Sequence, residues 1–421
     1  MNIKPIALLA VMLSAQTTVH AATLDNKALT EKVISLEKQN SALTKQVTKM
    51  ETVSTKRIGN IKQIMTARDE RIRFNGFLSA MATKNRKNLD LNFEGTGIDD
   101  RWSFSPDSIV GMQWDYKVVE GTSATVQAVA KGAKGFEVEA EWMYLTHQLT
   151  DNVSIRAGRL RLPLYALSET FEVGFSYPWV RPPVDLYIAD VTSYEGVAIT
   201  HKGQWGDWFL TSEVWGGSID EELVKIREEI GTDFVLSNGP WEFRLLGARV
   251  NKQIIRAFEA TTSPASLNYV VWSNIYDDGN WLIHFELADL AASKENPTTS
   301  NYTGYLSLAK HINSWTPYVV AGFGDSDQEQ DEGKRNADLF LFTSNLIPKY
   351  YHEKTYSVGL RYDVNPKMAL KFDATYFYDI KEDEMSRIRV SNPTTRLTDP
   401  TKVALLGDNT TILTFGTDIV F

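Results

Sequence analysis

The sequence predicts an all-β fold, a 16-stranded antiparallel transmembrane β-barrel, with an N-terminal α-helical coiled-coil segment before it. Three observations support this prediction. From Glu70 onward, segments of about ten residues alternate between apolar and polar side chains, as the strands of membrane barrels do. The connections between these segments are alternately short turns and long polar loops. Residues 22–68 instead repeat apolar side chains at intervals of three and four residues.

The composition excludes several classes of protein. The 44 Lys and Arg against 53 Asp and Glu give a net charge of −9, without the basic excess that nucleic-acid binding requires. The chain has no cysteine, which excludes disulfide scaffolds, thiolate metal sites and cysteine nucleophiles. Because 43% of the residues are hydrophobic and 11% are aromatic, a disordered chain is excluded as well. We expect no nucleic-acid partner, no metal and no cofactor.

The N-terminus has the features of a secretion signal. Lys4 precedes an apolar run at residues 6–14, and Ala21 is the small residue that signal peptidase prefers. The alternative is a membrane anchor, but a run of about nine residues is well short of the roughly 20 that a spanning helix needs. Residues 1–21 are therefore predicted to be a signal peptide that is cleaved after Ala21.

Residues 22–68 are predicted to form a coiled coil between chains. The residues of its seam are Leu29, Val33, Leu36, Asn40, Leu43, Val47 and Met50. A buried Asn40 amide would fix the register at a cost in stability. The alternative is a lone amphipathic helix, but a single helix this polar is only marginally stable in water. Too few heptads are present for the seam to define the number of chains.

Residues 69–421 are predicted to form the barrel. Short turns such as Glu120-Gly121, Asn251-Lys252 and Asn365-Pro366 are predicted at one rim. The long connections of the other rim are residues 83–107, 163–192, 218–240, 325–353 and 379–409. An even strand count requires a ninth strand at about residues 254–261, the segment that alternates least regularly.

The alternative fold is a large soluble β-sandwich, whose strands alternate in the same way. The positions of the aromatic residues argue against it, since most lie near strand ends, where an apolar band meets lipid headgroups. These residues are Trp114, Tyr116, Trp142, Tyr144, Trp208, Trp215, Trp272, Tyr276, Trp281, Trp315, Tyr356, Tyr362, Tyr376 and Tyr378.

Three segments carry a resemblance to a known family. The last strand ends on alternating apolar residues, Leu413, Phe415, Ile419 and the C-terminal Phe421. Residues 158–163 read GRLRLP, and the long connection 163–192 follows the fifth strand. In these segments the chain resembles the Gram-negative outer-membrane trimeric porins, and as a whole it resembles their phosphate- and dicarboxylate-type subgroup, which has an N-terminal periplasmic coiled coil.

The resemblance implies a location, partners and a function. The location is the outer membrane of a Gram-negative bacterium, with the coiled coil in the periplasm. The partners are two further copies of the chain in a homotrimer, outer-membrane lipid and lipopolysaccharide, and the barrel assembly machinery, for which Phe415, Ile419 and Phe421 form the assembly signal. The function is passive diffusion of small hydrophilic solutes, among which the likeness favours small anions such as dicarboxylates or phosphate.

One connection departs from the family pattern. The connection at 132–135 is too short for the loop that general trimeric porins insert into a neighbouring subunit. We therefore expect trimer contacts to involve the barrel walls and the coiled coil.

Charged residues on the strands are predicted to face a water-filled lumen, since a charge facing lipid at mid-bilayer costs roughly 2 to 4 kcal/mol. The residues placed inside by alternation are Gln113, Asp115, Lys117, Glu137, Glu139, Glu141, Arg156, His284, Glu286, Arg361, Lys371 and Asp373.

The resemblance also implies that residues 163–192 fold into the lumen and narrow it. The predicted constriction residues are Arg156, Arg159, Arg161, Glu169, Glu172, Arg181, Asp185 and Asp190. Acidic and basic groups on opposite sides of a narrow section would create a transverse field that selects solutes by charge. Arg156 and Arg159 are three residues apart, so they share a face only if a bulge lies between them.

Two other function classes stay open. An enzyme could pair His284 and Glu286, two apart on a strand, with a serine such as Ser307. No HExxH or GxSxG motif supports a hydrolase, so we expect no enzymatic activity. An adhesin or structural anchor would use the long loops and the coiled coil, and its closed lumen would pass no ion current.

Overall fold

The structure is a computed structural model that describes residues 34–38, 41, 71–86, 98, 100–187, 192–220, 224–255, 265–293, 300–326, 352–378 and 409–421. The chain divides into two compact units, Met1–Glu70 and Arg71–Phe421. In the first unit, residues 34–38 and 41 are helical, and Leu36 is 57% exposed. The predicted signal peptide and the other seam residues lie outside the described residues: Leu29, Val33, Asn40, Leu43, Val47 and Met50. Among the described residues, no helix is long and apolar enough to cross a membrane.

The second unit is a closed antiparallel barrel of sixteen strands, as predicted. Each strand pairs with its neighbours in sequence, and β1 closes the barrel by pairing with β16. The strands are β1 (Ile72–Asn85), β2 (Ile109–Val119), β3 (Thr122–Lys131), β4 (Val138–Gln148), β5 (Val153–Arg161), β6 (Ser193–Trp205), β7 (Trp208–Asp220), β8 (Val224–Asn238), β9 (Trp241–Ile255), β10 (Ala265–Asp277), β11 (Trp281–Ala292), β12 (Asn301–Lys310), β13 (Trp315–Ser326), β14 (His352–Asn365), β15 (Met368–Tyr378) and β16 (Thr410–Val420).

The wall has a polar inner face and an apolar outer face. On β2, Asp115 accepts hydrogen bonds from Gln113 and from Thr125 of β3. The residues that alternate with them, Met112 and Trp114, are 38% and 39% exposed on the other face. Because polar groups line the interior while apolar groups cover the exterior, the wall has the polarity of a barrel that encloses water within lipid.

Most of the predicted aromatic residues lie on the outer face, but three do not. Trp142 and Tyr144 point inward, where Arg161 lies 5.6 Å from the centre of the Trp142 ring and Arg156 lies 5.9 Å from that of Tyr144. Glu141 is an extra residue in β4, because the pairing with β3 shifts between Trp142 and Ala140. This bulge explains why simple alternation fails for Trp142. The third residue, Trp215, is 2% exposed and packs on Tyr194.

The two rims differ as predicted. At the rim of short turns, Gly121, Gly206, Gly239, Gly279 and Asn313 have positive φ angles, which tight hairpin turns require. On the opposite rim, the connection between β3 and β4 contains a short 3-10 turn at Gly132–Lys134, as predicted from its length.

One stretch of the barrel differs from the prediction. The sequence predicts a loop at 218–240, but β8 occupies residues Val224–Asn238. The predicted turn at residues 251–252 lies within β9, which ends at Ile255, so the ninth strand predicted at 254–261 is wrong in its position. The register between β7 and β8 shifts between Gly217, which pairs with Glu229, and Ile219, which pairs with Ile226, and this irregularity breaks the two-residue period of β8. The strand β8 was not predicted, and the strand predicted at 254–261 lies elsewhere. Because these two errors cancel, the predicted total of sixteen strands is still correct.

The C-terminal residue completes the closure of the barrel. Gly76 and Phe421 exchange two backbone hydrogen bonds of 2.9 Å. The Phe421 ring occupies the space beside Gly76, since a Cβ on this glycine would lie 2.3 Å from the ring. Phe421 and Phe415 are 49% and 47% exposed on the outer face, and the register with Leu78 places Ile419 on the same face.

Candidate functional site

The connection between β5 and β6, described for residues 162–187 and named the inner loop, lies inside the barrel. It contains two 3-10 turns, Ser168–Thr170 and Gly174–Ser176. Its apolar side chains pack against the inner wall of β9 to β13 in one cluster. The cluster contains Leu167, Tyr177, Trp179, Leu186 and Tyr187 of the loop, with Leu246, Tyr269, Val271, Ala288, Tyr305, Ala309, Tyr318 and Val320 of the wall. The loop is thus part of a packed core and not a segment suspended in solvent.

Glu286 of β11 binds the first part of the inner loop. Its carboxylate accepts hydrogen bonds from the Ala166 backbone N–H at 2.9 Å, from Tyr305 at 2.6 Å and from the Tyr187 hydroxyl. Burial, together with the Glu286 carboxylate, raises the pKa of Tyr187 well above its usual value. The Tyr187 hydroxyl therefore stays protonated and remains a donor to Glu286. Arg244 of β9 adds a bond of 2.6 Å to the Pro163 carbonyl.

Two cations from β14 and β15 bind the middle of the loop. Lys371 Nζ donates to the carbonyl oxygens of Gly174 at 2.6 Å and of Trp179 at 2.5 Å. Arg361 donates to the carbonyl oxygens of Phe175 at 2.7 Å and of Tyr177 at 2.9 Å. Four carbonyl groups of one short segment are thus paired with two positive charges on the wall.

The last part of the loop is bound at three points. The Trp179 indole N–H donates to Ser307 at 2.9 Å, and the Thr355 hydroxyl donates to Asp185. Arg181 donates twice to Asp107, at 2.8 and 2.6 Å. Burial alone would lower the pKa of Arg181, but the Asp107 carboxylate raises it above its usual value. Arg181 therefore stays charged over the whole physiological range.

Two of the predicted arginines form ion pairs with loop acids. Arg156 contacts Glu169 of the loop at 3.2 Å and Glu213 of β7 at 2.6 Å. Arg161 contacts Glu172 at 2.6 Å and the Glu141 carboxylate of β4. These acids and bases touch each other directly, so the predicted arrangement of opposite charges across water is absent for these pairs.

The remaining predicted site residues lie elsewhere. The register pairs Arg159 with Met143 and Glu195, and Met143 is 58% exposed on the outer face. The β4–β5 pairing has no bulge between Arg156 and Arg159, so these arginines point to opposite sides of the wall, and the prediction that Arg159 lines the lumen is wrong. Arg181 and Asp185 are in the inner loop, bound as described, and Asp190 lies outside the described residues.

Sequence analysis missed several residues that bind the inner loop. Arg244 and Asp107 were not among the predicted lumen or constriction residues, although each lies next to an apolar strand segment. Alternation did place Glu286, Arg361 and Lys371 inside the barrel, but it gave no sign that they bind the loop. Alternation alone would also have placed Arg244, since it shares the face of Leu246, a buried member of the cluster.

The structure also tests the geometry of the His284, Glu286 and Ser307 set. His284 and Ser307 are direct cross-strand neighbours, as a catalytic pair would require. However, Trp179 fills the space beside them, with its ring 5.1 Å from that of His284 and its N–H bonded to Ser307. All three side chains are at most 7% exposed. A substrate cannot reach this serine while the loop is in place.

No protein-family model and no curated protein matches this sequence, but solved structures match the barrel. It is similar to an anion-selective porin from Comamonas acidovorans, with a TM-score of 0.55 and 10% identity over 83% of this chain and 99% of that one. It is similar to OmpF of Salmonella typhi in complex with daunomycin, with a TM-score of 0.54 and 10% identity over 83% and 97%. It is also similar to the outer membrane channel DcaP of Acinetobacter baumannii, with a TM-score of 0.51 and 9% identity over 83% and 97%. At these identities the likeness shows the fold, which is that of outer-membrane porins.

Proposed function

We propose that this protein is an outer-membrane porin that lets small hydrophilic solutes diffuse passively across the membrane. The observation that carries the proposal is the closed barrel with a polar inner wall, an apolar outer wall and a loop packed inside the lumen. A charged and polar interior requires water, whereas the apolar exterior requires lipid. The porin fold of the structural neighbours supports the same function.

We propose that the barrel assembles with further copies of itself, as a homotrimer with the coiled coil in the periplasm. The outer faces of β3, β4 and β5 carry small residues, Ala124, Ala128, Ala140 and Ala157, at positions paired with exposed apolar side chains or with each other. Other strands carry large side chains on the outer face, such as Trp272 and Phe372, which are each 47% exposed. Small residues allow close packing of one wall on another within a membrane.

We include a preference for small anions, such as dicarboxylates or phosphate, in this proposal. The resemblance favours it, and one neighbour is by its title an anion-selective porin. Within the described lumen, Arg156 is the arginine that supports it best, since its side chain is 20% exposed and lies beside Glu169, which is 67% exposed. The side chain of Arg161 is only 6% exposed, so it acts on solutes less directly.

Current measurements test the channel itself. Purified protein added to a planar lipid bilayer should produce discrete current steps, because the water-filled lumen conducts ions. The heat-denatured protein serves as the control. An adhesin or anchor with a closed lumen would insert into the bilayer without producing current steps. That result would refute the proposed porin function.

Substitution of Arg156 tests the predicted selectivity. Arg156→Gln leaves Glu169 and Glu213 without their positive partner, so the lumen becomes more negative at this point. The reversal potential in a salt gradient should shift toward cation selectivity, with the cation-to-anion permeability ratio rising about twofold.

The matched control is Arg159→Gln, on the same strand but on the outer face. This variant should keep the wild-type reversal potential. If the reversal potential shifts in Arg159→Gln and stays at the wild-type value in Arg156→Gln, the assignment of these two arginines to the two faces of the wall is wrong.

A further inference from the structure

The middle of the inner loop lies at the closure seam of the barrel, where β16 meets β1. Asp418 of β16 accepts a hydrogen bond of 2.5 Å from Ser79 of β1. Its other carboxylate oxygen lies 2.8 Å from Lys371 Nζ. Gly174 of the loop fits against this pair so closely that a Cβ would lie 2.2 Å from Asp418 Oδ1 and 2.7 Å from Ser79 Oγ.

The ammonium group of Lys371 is removed from water by this arrangement. Its side chain is 0% exposed, and that of Asp418 is 1% exposed. A buried charge is tolerated only when it is paired and fully hydrogen-bonded. Lys371 Nζ has three oxygen partners: the carbonyl oxygens of Gly174 and Trp179, which accept its hydrogen bonds, and the Asp418 carboxylate, with which it forms an ion pair.

This pairing of the Lys371 ammonium group depends on the position of the loop. If residues 174–179 moved away, Lys371 would lose the Gly174 and Trp179 carbonyl acceptors and would become exposed to the lumen beside Asp418. Arg361 would lose the Phe175 and Tyr177 carbonyls in the same movement, and its ring contact with Phe175 at 4.6 Å. The wall thus favours this position of the loop through four hydrogen bonds from charged donors, in addition to apolar packing.

We propose that Lys371 and Arg361 are positioning residues that set the width of the pore by holding residues 174–179 of the inner loop against the inner wall, with Gly174 at the β16/β1 seam. The proposal rests on the porin function. Asp418 orients Lys371, and Gly174 supplies the close approach that the two carbonyl bonds require. Lys371 and Arg361 affect the solute only through the position of the loop. They do not contact the solute themselves.

The test compares Lys371→Met and Arg361→Met with Lys367→Met, which removes an exposed lysine four residues from Lys371 in the β14–β15 turn. We expect each of the first two variants to raise the open-channel current noise at least about twofold, because a loop released from its donors moves through the lumen. Amide hydrogen exchange in residues 174–179 should rise as well. Lys367→Met should match the wild type in both measurements.

A second variant covers the case in which Lys371→Met leaves Asp418 buried without a partner and the barrel fails to fold. Lys371→Met combined with Asp418→Asn removes both charges, and it should fold and still show the raised noise and exchange. Wild-type noise and exchange in both this double variant and Arg361→Met would overturn the proposal, since apolar packing alone would then position the loop. If the wild type itself carries no current but exchange still rises in the variants, the porin function fails while the positioning role stands.

Discussion

Replacing residues 173–180 with eight glycine and serine residues should enlarge the channel and weaken its ion selectivity together. The replacement keeps the length of the inner loop but removes Tyr177, Trp179 and Val180, which are at most 5% exposed. Removing a large aromatic side chain from a core typically costs about 3 to 5 kcal/mol. The segment would therefore leave the wall, and single-channel conductance should rise about two- to threefold as the free cross-section grows.

Selectivity should fall in the same variant because the loop carries charges into the narrow section. Glu169 and Glu172 reach their partners Arg156 and Arg161 only when the inner loop lies against the wall. Charges interact over about 10 Å at 0.1 M salt, so a wider lumen screens them from the solute.

The control for this replacement is Trp102→Ser, which removes an aromatic side chain from the outside of the barrel. Trp102 packs edge-on against Phe415, with ring centres 5.1 Å apart. Its loss should leave conductance and selectivity unchanged. If the glycine-serine replacement also leaves both unchanged, the inner loop does not define the narrow section, and the constriction must involve other parts of the chain.

The barrel could be predicted from the sequence because two simple signals persist over most strands. Side-chain alternation and the unequal lengths of successive connections each report on the fold without any tertiary contact. The signals fail where the backbone departs from regular pairing. The extra Glu141 in β4 reverses the face of Trp142, and the irregular pairing with β7 between Ile226 and Glu229 conceals β8. A bulge adds one residue to a strand, so the two-residue period on one side of it no longer predicts the faces on the other side.

The candidate site was less predictable, for a physical reason. Alternation assigns a residue to one face of the wall, and it correctly placed Glu286 and Lys371 inside. Which loop carbonyl reaches Lys371 depends on how the inner loop packs on strands more than a hundred residues away in sequence. The aromatic residues Tyr177, Trp179 and Tyr187 are the one sequence signal of that packing, since so many large apolar groups do not suit an exposed loop.

Deleting Phe421 should strongly reduce the amount of assembled protein. The deletion removes the two backbone bonds between Gly76 and Phe421, and it removes the ring that covers this glycine. Phe421 also lies near Phe74 of β1, with ring centres 6.3 Å apart. The first and last strands would then close with fewer contacts at the rim where the chain ends.

Gly76→Val tests the same contact from the other strand without altering the C-terminus. A Cβ at Gly76 would lie 2.3 and 2.4 Å from two atoms of the Phe421 ring, so the ring must leave its place. The control is Gly247→Val, because nothing lies within 4 Å of a Cβ there and the register with Val270 puts it on the outer face. Valine also favours strands, so the control variant should assemble normally.

The measurement is the amount of heat-modifiable oligomer in the outer membrane, compared at equal levels of secreted chain. We expect a roughly tenfold loss for the Phe421 deletion and for Gly76→Val, which corresponds to about 1.4 kcal/mol of closure free energy. If Gly76→Val assembles normally while the deletion does not, Phe421 acts before closure, as a signal to the assembly machinery. Normal assembly of both variants would show that the contact between Gly76 and Phe421 has no part in closing the barrel.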